Sequence, residues 1–104
     1  MTEYTAHVQV PDAAIGAVLH DALLGHEAVA CATLRSGSGT WLSFGYNADS
    51  DDEASMMASS IRYHASRPQE VLIPFGYEAS SIGSFESAPM IITQGRVVIH
   101  SEGI

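Results

Sequence analysis

The chain contains no lysine. All 4 of its basic residues are arginines, set against 12 Asp and Glu, which leaves a net charge of −8. A Walker phosphate loop is excluded without its lysine. So acidic a surface is repelled by phosphate backbones, which argues against direct nucleic-acid binding. Cysteine is almost missing too: Cys31 stands alone, so no internal disulfide can form. No apolar run approaches the ~20 residues of a membrane span. Met1-Thr2-Glu3-Tyr4 lacks the basic region and following apolar run of a secretory signal. The expectation is a cytoplasmic protein that does not bind membranes. Charged residues make up only 15% of the chain and hydrophobic ones 46%, a globular composition. At 104 residues it should form a single domain and bury about 60–70% of its unfolded surface.

Catalytic and cofactor motifs are also scarce. Gly37-Ser38-Gly39 begins like a dinucleotide loop, but Leu42 stands where the third glycine would fall, and the loop leads into a strand instead of a helix. No G-x-S-x-G elbow occurs among the serines. The histidines are His7, His20, His26, His64 and His100. No two have the helical or short-loop spacing of a zinc site, so they read as separate surface or half-buried residues. His7 and His100 fall on strands that could be neighbours and form the pair to check. Protonation at about pH 6 would offset part of the negative charge and make any association pH-dependent. Cys31, among Val29, Ala30 and Ala32, is expected as a buried small hydrophobe. The expectation is no catalytic residue, no metal and no cofactor.

What the chain does have is one dense acidic stretch, Asn47-Ala48-Asp49-Ser50-Asp51-Asp52-Glu53. Ser50 and Glu53 have the spacing of a capping box, and Asp51, Asp52 and Glu53 suit the positive end of a helix dipole. The spacing of Ala54, Met57, Ala58, Ile61 and Ala65 predicts one apolar helical face running to about Ser66. Arg62, Ser66 and Arg67 suit its negative end, and Pro68 stops it. A calcium loop fails on spacing: Asp52 stands where glycine is needed and Ala58 where the bidentate glutamate belongs.

The other elements follow in order. Residues 3–10 alternate, with Tyr4, Ala6, Val8 and Val10 on one face and Glu3, Thr5, His7 and Gln9 on the other, as in a half-buried strand. Pro11-Asp12 breaks it, and Ile15, Val18, Leu19, Ala22 and Leu23 predict a core-facing helix ended by Gly25. Gly16 within it marks a close approach to the sheet. Residues 27–35 and Thr40 to Tyr46 predict a hairpin, with Leu42, Phe44 and Tyr46 on one face and Trp41, Ser43 and Gly45 on the other. Residues 70–75 predict a fourth strand, at an edge or bulge because of Pro74. Residues 90–93 and 96–100 predict a final hairpin about Gln94-Gly95.

This order gives an α+β fold: a ferredoxin-like βαββαβ antiparallel sheet with two helices on one face, plus a C-terminal β-hairpin. Residues 1–77 form the core of the single domain, 78–88 a Ser/Gly-rich loop and 89–101 the hairpin. The hairpin can extend the sheet, cover its bare face or pair with a second chain. Three functions are compatible. The first is a non-enzymatic, acidic protein–protein interaction module, in concrete form an inhibitor that docks the basic, nucleic-acid-binding surface of a partner protein through Asp49, Asp51, Asp52 and Glu53. The second is a homodimeric α+β barrel that binds or transforms a small molecule. The third is a structural subunit that adds its hairpin to a neighbour. Pocket or interface candidates are His7, Trp41, Tyr63, Phe85 and His100, with Tyr46 as a further pocket residue.

Overall fold

The computed structural model describes residues 2–10, 13–37, 39–65 and 88–103. The order is strand β1 (Thr2–Val10), helix α1 (Ala13–Leu24), strands β2 (Cys31–Gly37) and β3 (Gly39–Ala48), helix α2 (Asp51–Ala65), and strands β4 (Met90–Gln94) and β5 (Val97–Glu102). The expected strand at 70–75, the helix stop at Pro68, Phe85 and the Ser/Gly-rich stretch up to residue 87 lie outside the described residues.

The sheet has five strands in the order β2-β3-β1-β4-β5, every described pair antiparallel. The order β2-β3-β1-β4 is that of a ferredoxin-like sheet. The place beside β1 is taken by β4, the first strand of the C-terminal hairpin, so the hairpin extends the sheet. Pro89 continues that edge: its carbonyl accepts from the Gln9 amide at 3.0 Å. The hairpin turns through Gly95 and Arg96, one residue later than the sequence suggested. Gly95 has φ +61 and Arg96 does not have positive φ, the pattern of a type II′ turn, which favours glycine first. Register slips between Ile92 and Thr93, which pair with His100 and Val98 and leave Ile99 as a bulge.

One face of the sheet carries the core. Tyr4, Ala6, Val8 and Val10 on β1, Leu42, Phe44, Tyr46 and Ala48 on β3, and Met90 and Ile92 on β4 are all buried. Both helices pack onto this face, α1 with Ile15, Leu19 and Leu23, α2 with Ala54, Ala58, Ile61 and Ala65. Gly16 is where α1 meets the sheet. A Cβ there would lie 2.7 Å from the end of Leu34 and 3.3 Å from Val10. Tyr46 ties β3 to α2: its hydroxyl donates to the Ala54 carbonyl at 2.6 Å, and burial pushes its phenol well up from the ordinary value.

Arg62 departs from its expected role as a helix-end cation. It is 1% exposed. Its guanidinium donates to Glu102 Oε1 at 2.8 Å, to the Ala88 carbonyl at 2.9 Å and to Met90 Sδ at 3.3 Å. The residue lies beside Ile61, at the border of the apolar stripe, and there it clamps α2 to the C-terminal hairpin. Cys31 also departs from expectation. It is exposed, because it lies on the edge strand β2, whose odd-numbered residues face away from the helices. Its sulfur lies over Gly45, where a Cβ would come within 2.8 Å.

Among the described residues, no helix is long and apolar enough to cross a membrane.

Candidate functional site

Among the described residues no element covers the other face of the sheet, and its residues follow from strand alternation. One row crosses all five strands: Thr33, Ser43, His7, Ile91 and Ser101 are successive register partners. The adjoining row brings together Arg35, Trp41 and Gln9. The ends of β2 and β3 meet beside this second row. Together they border an open depression of about 350 Å³, lined by His7, Ser43 and Ile91 from the first row, Arg35 and Trp41 from the second, and Ser36, Gly37 and Gly39 from the strand ends. Gly39 has φ +98, and a Cβ there would meet Gln9 at 3.3 Å and the Trp41 indole nitrogen at 3.7 Å. A side chain at this position would crowd the rim.

His7 is held on both ring nitrogens. Nδ1 is 2.7 Å from Ser43 Oγ and Nε2 is 3.3 Å from Thr93 Oγ1. The Thr93 hydroxyl points to the Thr5 carbonyl at 3.5 Å. With that hydroxyl donating, the imidazole proton sits on Nε2, and Nδ1 accepts from the Ser43 hydroxyl. Burial, and secondarily the charge of Arg35, holds the His7 pKa below its ordinary value, so the ring is neutral at neutral pH. The sign of the resulting pH dependence follows. An unfolded chain takes up this proton at about pH 6.5, whereas the folded one resists it. His7 therefore contributes stability that is fully present above about pH 6.5 and is lost as pH falls through the lower folded value. The gap in Tm between the native chain and a His7→Gln variant should shrink as pH is lowered from about 7.5 to about 5.

Arg35 is exposed, and among the described residues no carboxylate lies within ion-pair distance of it. In a chain of net charge −8 that is notable, because solvent-facing carboxylates are plentiful. A guanidinium beside an indole, over a floor of hydroxyls and a neutral imidazole, can take a carboxylate by its two-pronged donor edge while a flat apolar group lies on Trp41.

Of the residues singled out from sequence, His7 and Trp41 meet here. Tyr63 is exposed on α2, edge-on to His64 with ring centroids 5.5 Å apart. It lies on the helix layer, away from the depression. Tyr46 is in the core. His100 pairs with Ile92, whose side chain is buried under the helices, so His100 and His7 project from opposite faces and do not form a pair. His100 instead lies 3.4 Å from Glu102 Oε2. Phe85 lies outside the described residues. His26 and His64 are in contact, ring centroids 5.7 Å apart, although they are far apart in sequence. Among the described residues, no three His, Cys, Asp or Glu side chains could share a metal ion.

The acidic residues sit at the other end of β3, roughly 20 Å along the strand from Trp41 at about 3.3 Å per residue. Asp49, Asp51, Asp52 and Glu53 are all exposed. Half of the expected capping box is present: the Glu53 amide donates to Ser50 Oγ at 3.1 Å. Asp51 has a further structural task, accepting from the Tyr4 hydroxyl at 2.9 Å. Burial, that hydrogen bond and the charges of Asp51 and Glu53 all raise the Tyr4 phenol. Among the described residues, Asp49, Asp52 and Glu53 make no ion pair.

Arg35 and Ser43 were not singled out from sequence. The signal was available in the alternation of β3, since Ser43 shares the Trp41 face; Arg35 joins it only once the hairpin register is fixed. Compared with family models, with curated proteins and with solved structures, the chain has no match in any of the three.

Proposed function

We propose that this protein is a binding module that takes a small anionic ligand, an aromatic or otherwise flat carboxylate, in the depression on its open sheet face. The observation that carries the proposal is Arg35: a guanidinium without an ion-pair partner among the described residues, on the rim of a concavity that also presents Trp41, Ser43 and neutral His7. Ligand sites combine an apolar wall with a few convergent polar groups in this way. The chain has 1 tryptophan, so indole fluorescence, excited selectively over the tyrosines, reports on this site alone. Titration with benzoate should give saturable quenching that weakens as salt is raised, since the contact is ionic and solvent-facing. Fluorescence unchanged by benzoate over the whole range would count against the proposal.

A second reading rests on the acidic end. Asp49, Asp52 and Glu53 are exposed and without cationic partners among the described residues, so their charge is presented to solvent. This supports docking to a basic protein surface, including one that otherwise holds nucleic acid. Reversing Asp49, Asp52 and Glu53 to lysine, and leaving Asp51 to hold Tyr4, should abolish a salt-sensitive complex with a basic partner while the domain stays folded. A complex that survives the reversal excludes this reading.

A further inference from the structure

We propose that Ser43 and His7 form a nucleophile–base pair, and that the depression hydrolyses small esters carrying a second, ionised carboxylate. This rests on the reading of the depression as an anion site and adds chemistry to it. Three requirements of such a site are met by geometry. The nucleophile and base share a short hydrogen bond, Ser43 Oγ to His7 Nδ1 at 2.7 Å. The base is oriented from its other side by Thr93 at 3.3 Å. Both groups line a concavity open to a substrate. Of the strands around the ring, β3 and β4 present the hydroxyls of Ser43 and Thr93, and β2 presents Arg35 as the charged group facing it. A neutral imidazole can act as a base without first losing a proton.

The steps balance as an ordinary acyl transfer to water. Ser43 Oγ attacks the ester carbonyl carbon and forms a new C–O bond, while its proton passes to His7 Nδ1. The bond to the leaving alcohol breaks, and that oxygen takes the proton back from Nδ1. Water then attacks the acyl-serine, gives a proton to Nδ1, and the acid departs as Ser43 Oγ recovers its proton. Nothing is oxidised or reduced.

Arg35 sets the substrate class. An imidazolium forming next to a bare guanidinium is opposed by like charge. A substrate carboxylate seated on Arg35 removes that opposition and holds the ester in place. Esters with a second carboxylate should therefore react faster than neutral ones of similar size, by about tenfold for each pKa unit of relief at His7.

The test uses the whole chain with para-nitrophenyl succinate and, as the neutral control, para-nitrophenyl acetate. A fluorophosphonate supplies a covalent probe, and the modified residue is located by peptide mass spectrometry. The expected result is turnover that favours the succinate ester, rises with pH through a value below the ordinary imidazole one, and falls about 100-fold or more in Ser43→Ala and in His7→Gln, with Ser43 carrying the phosphonate. Labelling of the native chain needs no variant, so a folding defect in either substitution does not blunt the test. Benzoate quenching of Trp41 with Ser43 unlabelled, and with no turnover above that of Ser43→Ala, would overturn the nucleophile and leave the binding site standing. Absence of both quenching and labelling would overturn both.

Discussion

Replacing Arg62 with alanine should destabilise the domain by about 3 kcal/mol, the sum of a core cavity and a buried acceptor left without its donor. In a domain of this size that lowers Tm by roughly 12–20 °C. The guanidinium reaches from α2 to the Ala88 carbonyl, Met90 and Glu102, so its loss detaches the last turns of α2 from β4 and β5 together. The conservative partner of this experiment is Arg62→Met. Methionine refills the space without a charge, and buried ion pairs add little net stability over a well-packed apolar group. It should recover at least half of the loss. Glu102→Gln leaves a buried guanidinium without its counter-charge, but Glu102 is 46% exposed, and water screens what remains. Its cost should be smaller, about 1–2 kcal/mol. Urea denaturation midpoints check the series. An alanine variant as stable as the native chain would mean that the clamp does not hold the hairpin.

Arg35 should behave in the opposite way, with a large effect on binding and almost none on stability. It is exposed and makes no ion pair among the described residues, so its replacement should change stability by no more than about 0.5 kcal/mol. A charge-assisted, two-pronged contact with a carboxylate contributes about 1.5–3 kcal/mol, so Arg35→Met should weaken benzoate binding roughly 10- to 100-fold. Arg35→Lys keeps the charge but not the planar fork and should fall between the two. Arg35→Glu places a like charge against the ligand and should leave no measurable binding. Fluorescence titration of Trp41 reads all three. A Met variant that binds as tightly as the native chain would remove Arg35 from the site.

Much of the fold is legible in the sequence because it is written in alternation and spacing. The pattern from Tyr4 to Val10 and from Leu42 to Tyr46 marks the core face, and the same residues are buried in the folded chain. The helix opened by Ser50 is present from Asp51 to Ala65, with Ala54, Ala58, Ile61 and Ala65 buried as their spacing predicts. Gly16 declares a close approach that Leu34 and Val10 supply. Other features depend on contacts that no local pattern records. Cys31 reads as buried among Val29, Ala30 and Ala32, but it falls on the face of an edge strand that points away from the helices and is exposed. Arg62 has the spacing of a helix-end cation, and only the docking of β4 and β5 turns it into an interior clamp. His7 and His100 look like neighbours until the sheet places them on opposite faces. The site follows the same division. His7 and Trp41 stand out as polar and aromatic residues on the strand face opposite the core, whereas Arg35 and Ser43 join them only through a register that brings residue 35 opposite residue 41 and residue 43 opposite residue 7.

The central claim is that the open sheet face binds a small carboxylate. The most direct test is to map amide and indole chemical-shift changes by NMR as benzoate is added to the native chain. The account predicts saturable shifts confined to His7, Arg35, Trp41, Ser43 and Ile91 and to the β2–β3 turn, with Asp49 to Glu53 unmoved. Shifts centred on the helix layer or the acidic end, or none at all, would contradict it.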